Sequence, residues 1–345
     1  MNVVEVAIIN VTSYMGMEAA RLLSRHPGVK LVSVTGRSEA GKSLASVLPH
    51  LSGIGLTIDP APQVADVVFS ALPHKASAAV LLPLVEKGTK VIDLSADFRL
   101  KAVEEYQRWY DFSHPAPEML QKAVYGLPEL HRPQLASCSL VANPGCYPTG
   151  AILALVPAVK EGLVHPDIIV DSKSGVSGAG RTLSMTAHFA EANENVSAYA
   201  LGGHRHLPEI VQELEATGSR KLSVTFLPHL VPMTRGILTS CYARLADGKL
   251  PDGEKGVAEL RQVYRDFYKD EPFVRVADAP PQTKQTLGTN LCLVYPTIDL
   301  RTNRLMVISC LDNLVKGGSG QAVQNMNVML GFPETAGLES LAVYP

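Results

Sequence analysis

A chain of 345 residues, 46% hydrophobic and 19% charged, has room for two packed domains and the composition of an ordinary globular protein. Its formal net charge of −2 supplies no electrostatic reason to expect nucleic acid or an anionic membrane, and no run of about 18 apolar residues occurs. Five cysteines without paired spacing argue against a disulfide framework and for a reducing compartment, so a cytoplasmic protein acting on a small molecule is expected. The opening residues Met1-Asn2-Val3-Val4-Glu5 carry neither the basic segment nor the long apolar stretch of an export signal.

Val3 to Ile9 reads as a short buried strand, Met15 to Leu23 as an amphipathic helix and Lys30 to Thr35 as the next strand. Ala65 to Ala71 and Lys90 to Leu94 add two more buried strands around an apolar helix near Ala76 to Glu86. This alternation predicts an α/β fold, a Rossmann-like doubly wound parallel sheet. In such a fold the first strand-to-helix turn carries glycines that admit a pyrophosphate. Here G-x-x-G-x-x-G reads Asn10-Val11-Thr12-Ser13-Tyr14-Met15-Gly16, keeping only the third glycine. Asn10 tolerates unusual backbone angles, and Ser13 either brings a hydroxyl toward the phosphate path or caps the helix. The second strand ends in Thr35-Gly36-Arg37-Ser38 followed by Lys42, basic and hydroxyl groups that favour a 2′-phosphate and hence NADP.

Asn143-Pro144-Gly145-Cys146-Tyr147-Pro148-Thr149 turns on Pro-Gly and delivers a cysteine to the start of a helical segment continuing through Ala151, Ile152, Leu153, Leu155 and Val156. Unpaired N–H groups and the positive helix end favour a thiolate there, so Cys146 is the candidate nucleophile. Cys138, Cys241, Cys292 and Cys310 sit in apolar or strand-like runs and read as inert.

From Asp167 the pattern becomes β-rich. Ile168 to Ser172, Leu222 to Leu227 and Gly236 to Leu245 read as strands, and Leu291 to Leu311 as a hairpin turning at Arg301-Thr302-Asn303. An α+β domain with a largely antiparallel sheet is expected. Between the strands, the loop Ser174 to Arg181 is suited to presenting backbone N–H groups and a cation to an anion, and Gly202-Gly203-His204-Arg205-His206 offers an acid/base. Ligands at zinc-like spacing are lacking around these histidines, and there is no G-x-S-x-G elbow. Asp312 to Asn327 reads as a glycine-rich turn feeding an amphipathic helix.

Taken in order, Ala71-Leu72-Pro73-His74, Asp93 to Arg99, Tyr125 to Glu129, the Cys146 heptapeptide, the Ser174 loop, His204-Arg205-His206, Thr234-Arg235-Gly236-Ile237 and Asp312 to Gly318 resemble the N-acetyl-gamma-glutamyl-phosphate reductases, relatives of aspartate-semialdehyde dehydrogenase. The resemblance covers essentially the whole chain. It implies Cys146 as nucleophile, His204 as acid/base and NADPH as hydride donor, with substrate held by Ser174, Arg181, Arg205 and Arg235. Cofactor contacts would fall on Thr12, Ser13, Tyr14, Gly16, Arg37, Ser38, Leu72, Pro73, Ser95, Gly178, Asn313, Lys316 and Gly317. It further implies an NADP-binding domain of residues 1–146 and 313–345, a catalytic domain of 147–312, and a homodimer or homotetramer. The rival readings are the aminoadipyl-phosphate reductase of lysine synthesis and a noncatalytic relative, the latter suggested by Asn10 and Ser13.

Overall fold

The computed structural model describes residues 3–344. Met1 and Asn2, which the export argument and the expected first domain include, and Pro345 lie outside them. The chain divides into two compact units, one running up to Gly145 and resuming over Gly318–Ser340, the other Cys146–Gly317 with the residues from Leu341 on. The expected boundaries differ: Cys146, residues 313–317 and residues 341–344 go with the second unit. The physical reason is hydrogen bonding, since Asp312 and Asn313 are tied to Arg235, Gly236, Ser177 and Gly288 of that unit.

The first unit is built on seven strands, β1 (Val4–Ile9), β2 (Val29–Thr35), β3 (Ile58–Asp59), β4 (Val67–Ser70), β5 (Lys90–Asp93), β6 (Val124–Tyr125) and β7 (Leu140–Ala142). They lie in the order β3-β2-β1-β4-β5-β7-β6, and every pair is parallel. Val67–Ser70 are all buried, the continuous burial of a parallel strand covered on both faces. Short β3, β6 and β7 carry too few residues for a period-2 signal, and the sequence reading passed them over.

Two buried carboxylates brace the carboxyl ends of these strands. Asp97 accepts the N–H groups of Lys75, Ser77 and Ala78, capping helix Ser77–Glu86 from a distant segment. Asp93 accepts the hydroxyls of Ser77 and Ser95 at 2.7 and 2.6 Å, and burial pushes its carboxyl up to about 6. Arg99 closes the brace by donating to the carbonyls of Leu94 and Asn143. Helix Gly320–Leu330 differs from expectation. Its polar residues face no solvent: Asn325 donates to Gly126 O and Asn143 Oδ1, and Asn327 to the carbonyls of Glu334 and Ala336, all inside the unit.

The second unit carries β8 (Val164–Gly175), β9 (Ser197–Ala198), β10 (Ser223–Val231), β11 (Ile237–Leu245), β12 (Val274–Val276), β13 (Cys292–Asp299) and β14 (Arg304–Leu311). Their order is β12-β13-β14-β11-β8-β10-β9, antiparallel except for β8–β10 and β12–β13. The expected hairpin forms, with Cys292 opposite Leu311 and Asp299 opposite Arg304. Helices Cys146–Lys160, Leu207–Gly218 and Glu254–Tyr268 cover one face of this sheet. The first of them is buried from Tyr147 to Val159, as an apolar helix enclosed on all sides must be. Pro157 has no N–H for the Leu153 carbonyl, and the Tyr268 hydroxyl donates to that oxygen at 2.5 Å instead. Among the described residues, no helix is long and apolar enough to cross a membrane.

Candidate active site

In the first unit the glycine-poor turn takes the shape a dinucleotide turn needs by other means. Asn10 adopts φ +65°, the left-handed conformation usually left to glycine. It is held there by its Nδ2, donating to Ala71 O at 2.8 Å, and by its N–H, donating to Thr35 Oγ1 at 3.2 Å. Ser13 is the N-cap of helix Tyr14–Leu23: its hydroxyl accepts the Gly16 N–H and donates to Asn10 O, both at 3.0 Å. The hydroxyl is therefore folded into the turn. A Cβ on Gly16 would collide with the Asn10 carbonyl, so this glycine seats the helix on the strand. Thr12 is half-buried, donating to Asn10 Oδ1, and Tyr14 is exposed as the first residue of the helix.

Arg37 and Ser38 stand exposed after β2, while Lys42 is engaged by Glu39 at 2.6 Å. Leu72 and Pro73 follow β4, half-buried and exposed respectively. A helix N-terminus approached through a left-handed residue and flanked by an exposed guanidinium fits a phosphorylated dinucleotide. Ser95 does not share that exposure. It is 5% exposed and its hydroxyl donates to Asp93, as part of the buried brace.

In the second unit Cys146 is the first residue of its helix and half-exposed, whereas the other four cysteines are buried. Burial pushes the Cys138 thiol up to about 11, Cys310 up to about 12 and Cys241 further still, which keeps them protonated. The Cys146 helix lies flat on the sheet because Gly150 has Ser309 Oγ and Thr239 Oγ1 where a side chain would be, and its carbonyl accepts from Ser309. Pro148 sits in the first turn, where a missing N–H costs no helical hydrogen bond.

The residue after the cysteine organises the histidines. Tyr147 packs edge-on against His204 at 5.7 Å and His206 at 5.9 Å, with Phe226 at 5.4 Å. Tyr199 packs on the His204 ring at 5.6 Å and donates its hydroxyl to the Tyr147 oxygen, which in turn donates to His229 O. Burial raises both phenols, Tyr199 to about 12. His204 Nδ1 accepts the His206 N–H at 3.0 Å, so the neutral ring carries its proton on Nε2. Burial, and then the Arg205 guanidinium, hold this imidazole down to about 4. The ring is thus set to donate at Nε2.

The expected substrate and cofactor groups divide. Arg181 and Arg205 are exposed. Arg235 instead grips the fully buried Asp312, Nη2 to Oδ1 at 3.1 Å and to Oδ2 at 3.0 Å. Asp312 also accepts the N–H groups of Gly288 and Leu314, which pins the turn leading to Gly317. Asn313 is buried, donating to Ser177 Oγ and accepting from Gly236 N–H, and Lys316 is buried with its ammonium 5.8 Å from the Phe273 ring centre. Asp312, Asn313 and Lys316 thus lie in the unit's interior. Gly317 is the member of the turn that lies against Cys146, for a Cβ on it would stand 2.8 Å from Cys146 Cβ. Ser174 is buried under Gly178, whose Cβ would meet its Oγ at 3.1 Å.

Sequence reasoning missed Tyr199, Phe226 and the role of Tyr147. Adjacency to Cys146 was a signal for Tyr147; the other two are far away in sequence. Among the described residues, no group of three or more His, Cys, Asp or Glu is placed to hold a metal ion.

Family models match both halves: a semialdehyde dehydrogenase NAD binding domain over residues 5–138 and a semialdehyde dehydrogenase dimerisation domain over 146–313. Among curated proteins, the N-acetyl-gamma-glutamyl-phosphate reductase of Dehalococcoides mccartyi is 57% identical over 340 residues, covering 98% of each chain. Those of Pelotomaculum thermopropionicum and Moorella thermoacetica are 50% and 47% identical, each over 351 residues and 99% of this chain, covering 99% and 100% of those proteins. Among solved structures, aspartate semialdehyde dehydrogenase II from Vibrio cholerae aligns with a TM-score of 0.69 at 17% identity, covering 95% of this chain and 98% of that one. Aspartate semialdehyde dehydrogenase with NADP from Candida albicans aligns with the same TM-score at 15% identity, covering 95% and 99%, a likeness of fold. Full-length identity at this level, with a cysteine at the start of a buried helix and a dinucleotide turn in the other unit, establishes that the chain belongs to the N-acetyl-gamma-glutamyl-phosphate reductase family.

Proposed function

We infer that this chain reduces N-acetyl-L-glutamyl 5-phosphate to N-acetyl-L-glutamate 5-semialdehyde with NADPH, releasing phosphate, as a step of arginine biosynthesis. The observation that carries the chemistry is the half-exposed Cys146 thiol at a helix start, beside four cysteines that are buried. The substrate follows from relatives of that name at 47–57% identity along their whole length.

Cys146 attacks the acyl carbon as thiolate, its charge favoured by the first-turn N–H groups. The carbon–oxygen bond to phosphate breaks, phosphate leaves with the electron pair, and a thioester remains on the sulfur. The turn of Asn10, Ser13 and Gly16 with Arg37 and Ser38 would hold NADPH, whose chemistry would be to supply the hydride that reduces that acyl group. Carbon–sulfur cleavage then returns the electron pair to Cys146 and frees the aldehyde. His204, neutral and protonated at Nε2, donates a hydrogen bond to the acyl oxygen as negative charge collects there. Tyr147 and Tyr199 hold the ring edge-on. Arg181 and Arg205 receive the phosphate and carboxylate, because an exposed guanidinium fork matches both. Asn10, Ser13 and Gly16 shape a turn that would take the pyrophosphate, and the exposed Arg37 and Ser38 would meet the 2′-phosphate.

The protein works as a homodimer or homotetramer in the cytoplasm. The match of residues 146–313 to a dimerisation domain and the five free cysteines support this. The reverse reaction tests the substrate: N-acetylglutamate semialdehyde, phosphate and NADP should give NADPH, and NAD should serve poorly. Preference for the aminoadipate or aspartate semialdehyde would overturn the assignment. Cys146→Ser should lose the activity while remaining folded and binding NADPH.

A further inference from the structure

Of the two ring nitrogens of His204, one is already committed. Nδ1 accepts the His206 N–H at 3.0 Å, and the rings of Tyr147, Tyr199, His206 and Phe226 stand around the imidazole at 5.7, 5.6, 4.8 and 5.4 Å. Turning the ring over would break that hydrogen bond and disturb four packed neighbours. His206 precedes helix Leu207–Gly218 at φ −84° and ψ −11°, and the Leu207 N–H bonds to His204 O, so the contact is built into the turn that starts the helix. The two phenols beside the ring direct their protons to acceptors, Tyr199 to the Tyr147 oxygen and Tyr147 to His229 O. Burial raises both, so neither takes a proton from water.

We propose that the His206 backbone N–H is a tautomer lock, fixing His204 as a hydrogen-bond donor at Nε2, and that the site therefore passes acyl groups from Cys146 to nucleophiles that arrive ionised and not to water. The proposal rests on Cys146 being the nucleophile inferred above and deepens that reading. Attack of water on a thioester needs a base to take a proton, a contribution of about 10²–10⁴ in rate. An imidazole protonated at Nε2 has no lone pair there to accept it, and its other nitrogen is bonded to the chain. A thiolate needs no base. It needs only a donor on the acyl oxygen, which the locked ring supplies.

The same lock gives the site a second activity, transfer of an acyl group from an activated ester to a small thiol. Cys146 thiolate attacks the ester carbonyl, the carbon–oxygen bond breaks and the phenolate leaves with the electron pair. A thiolate from solution then attacks the thioester, the bond from carbon to the Cys146 sulfur breaks, and the pair returns to Cys146. With no thiol present the acyl group stays where it is. His206 acts here through His204, as a positioning residue, and its main-chain N–H is the part that matters.

The test uses the full chain and no nucleotide. With p-nitrophenyl acetate the wild type should release a single equivalent of nitrophenolate per subunit and then stall, with the acetyl group on Cys146 by mass spectrometry. N-acetylcysteamine should restart release at least about tenfold above the stalled rate and appear as its acetyl thioester, and Cys146→Ser should show neither phase. His206→Ala removes the ring and keeps the N–H; His206→Pro removes both, at a φ of −84° that is close to the range of proline. Once His204 can carry its proton on Nδ1, the acetyl-enzyme should hydrolyse at least about tenfold faster in the proline variant than in the alanine variant. Steady hydrolysis by the wild type overturns the proposal, as does equal hydrolysis in the two variants. If circular dichroism shows His206→Pro misfolded, nitrogen NMR of histidine-labelled wild type replaces it: the His204 signals, assigned by their loss in His204→Asn, should show a bare Nδ1 and a protonated Nε2 at pH 7, and the opposite tautomer overturns the lock. A wild type that forms no acetyl-enzyme would sink Cys146 as the nucleophile, and the nitrogen shifts would then decide the lock alone.

Discussion

Gly317 lies against Cys146 so closely that a side chain on it would begin 2.8 Å from the Cys146 Cβ and 3.2 Å from its Cα. The glycine-rich turn therefore sets where the reactive sulfur stands. Gly317→Ala should push the helix start aside and lower kcat by about 10- to 100-fold, with slower thiol alkylation by iodoacetamide and little change in melting temperature. Wild-type turnover from this variant would show that the contact is slack.

That turn is held by Asp312, which is buried and receives Arg235, Gly288 and Leu314. Removing one partner of a buried, hydrogen-bonded ion pair leaves the other charge stranded, so Asp312→Ala should lower unfolding free energy by about 3–5 kcal/mol in urea titration. Arg235→Lys keeps the charge and loses the fork, and should fall between wild type and Asp312→Ala. If Arg235 instead served substrate alone, its lysine variant would raise KM at unchanged stability.

Burial and Arg205 hold His204 near 4, against 6.5 for a free ring. The unfolded chain takes up its proton around pH 6.5 and the folded chain only around 4, so this ring costs stability as pH falls through that window and is neutral in effect above it. Between pH 7 and pH 5 the wild type should lose about 1–2 kcal/mol more than His204→Asn in urea titration. The kcat/KM profile should also lack an acid limb at pH 6–7 from this group; a limb there that vanishes in His204→Asn would mean the ring titrates normally.

In the cofactor turn, Ser13 already points its hydroxyl into the turn and Asn10 already holds φ +65°. Replacing both by glycine removes the cap and the Asn10 bond to Ala71 without opening new space for phosphate. The double variant should bind NADPH within about threefold of wild type by fluorescence titration, and lose about 1 kcal/mol of stability with the cap. A large gain in affinity would mean the two side chains do obstruct the pyrophosphate.

Features set by neighbours in sequence could be read without coordinates. The first β-α-β unit, the cysteine at the start of an apolar helix and the hairpin between Cys292 and Leu311 follow from periodicity and turn residues, which act over a few positions. The shape of the cofactor turn was legible for the same reason, because Ser13 caps its own helix and Asn10 is a residue that tolerates positive φ. Partnership across long stretches of chain was not. Arg235 was read as a substrate cation and meets Asp312, 77 positions on, while Ser95, Asn313 and Lys316 were read as cofactor contacts and are buried. The rings around His204 come from positions 147, 199, 206 and 226, and no spacing rule connects them. A polar side chain reads the same in sequence whether it faces solvent or a buried partner, and which it meets is decided only when distant segments pack together.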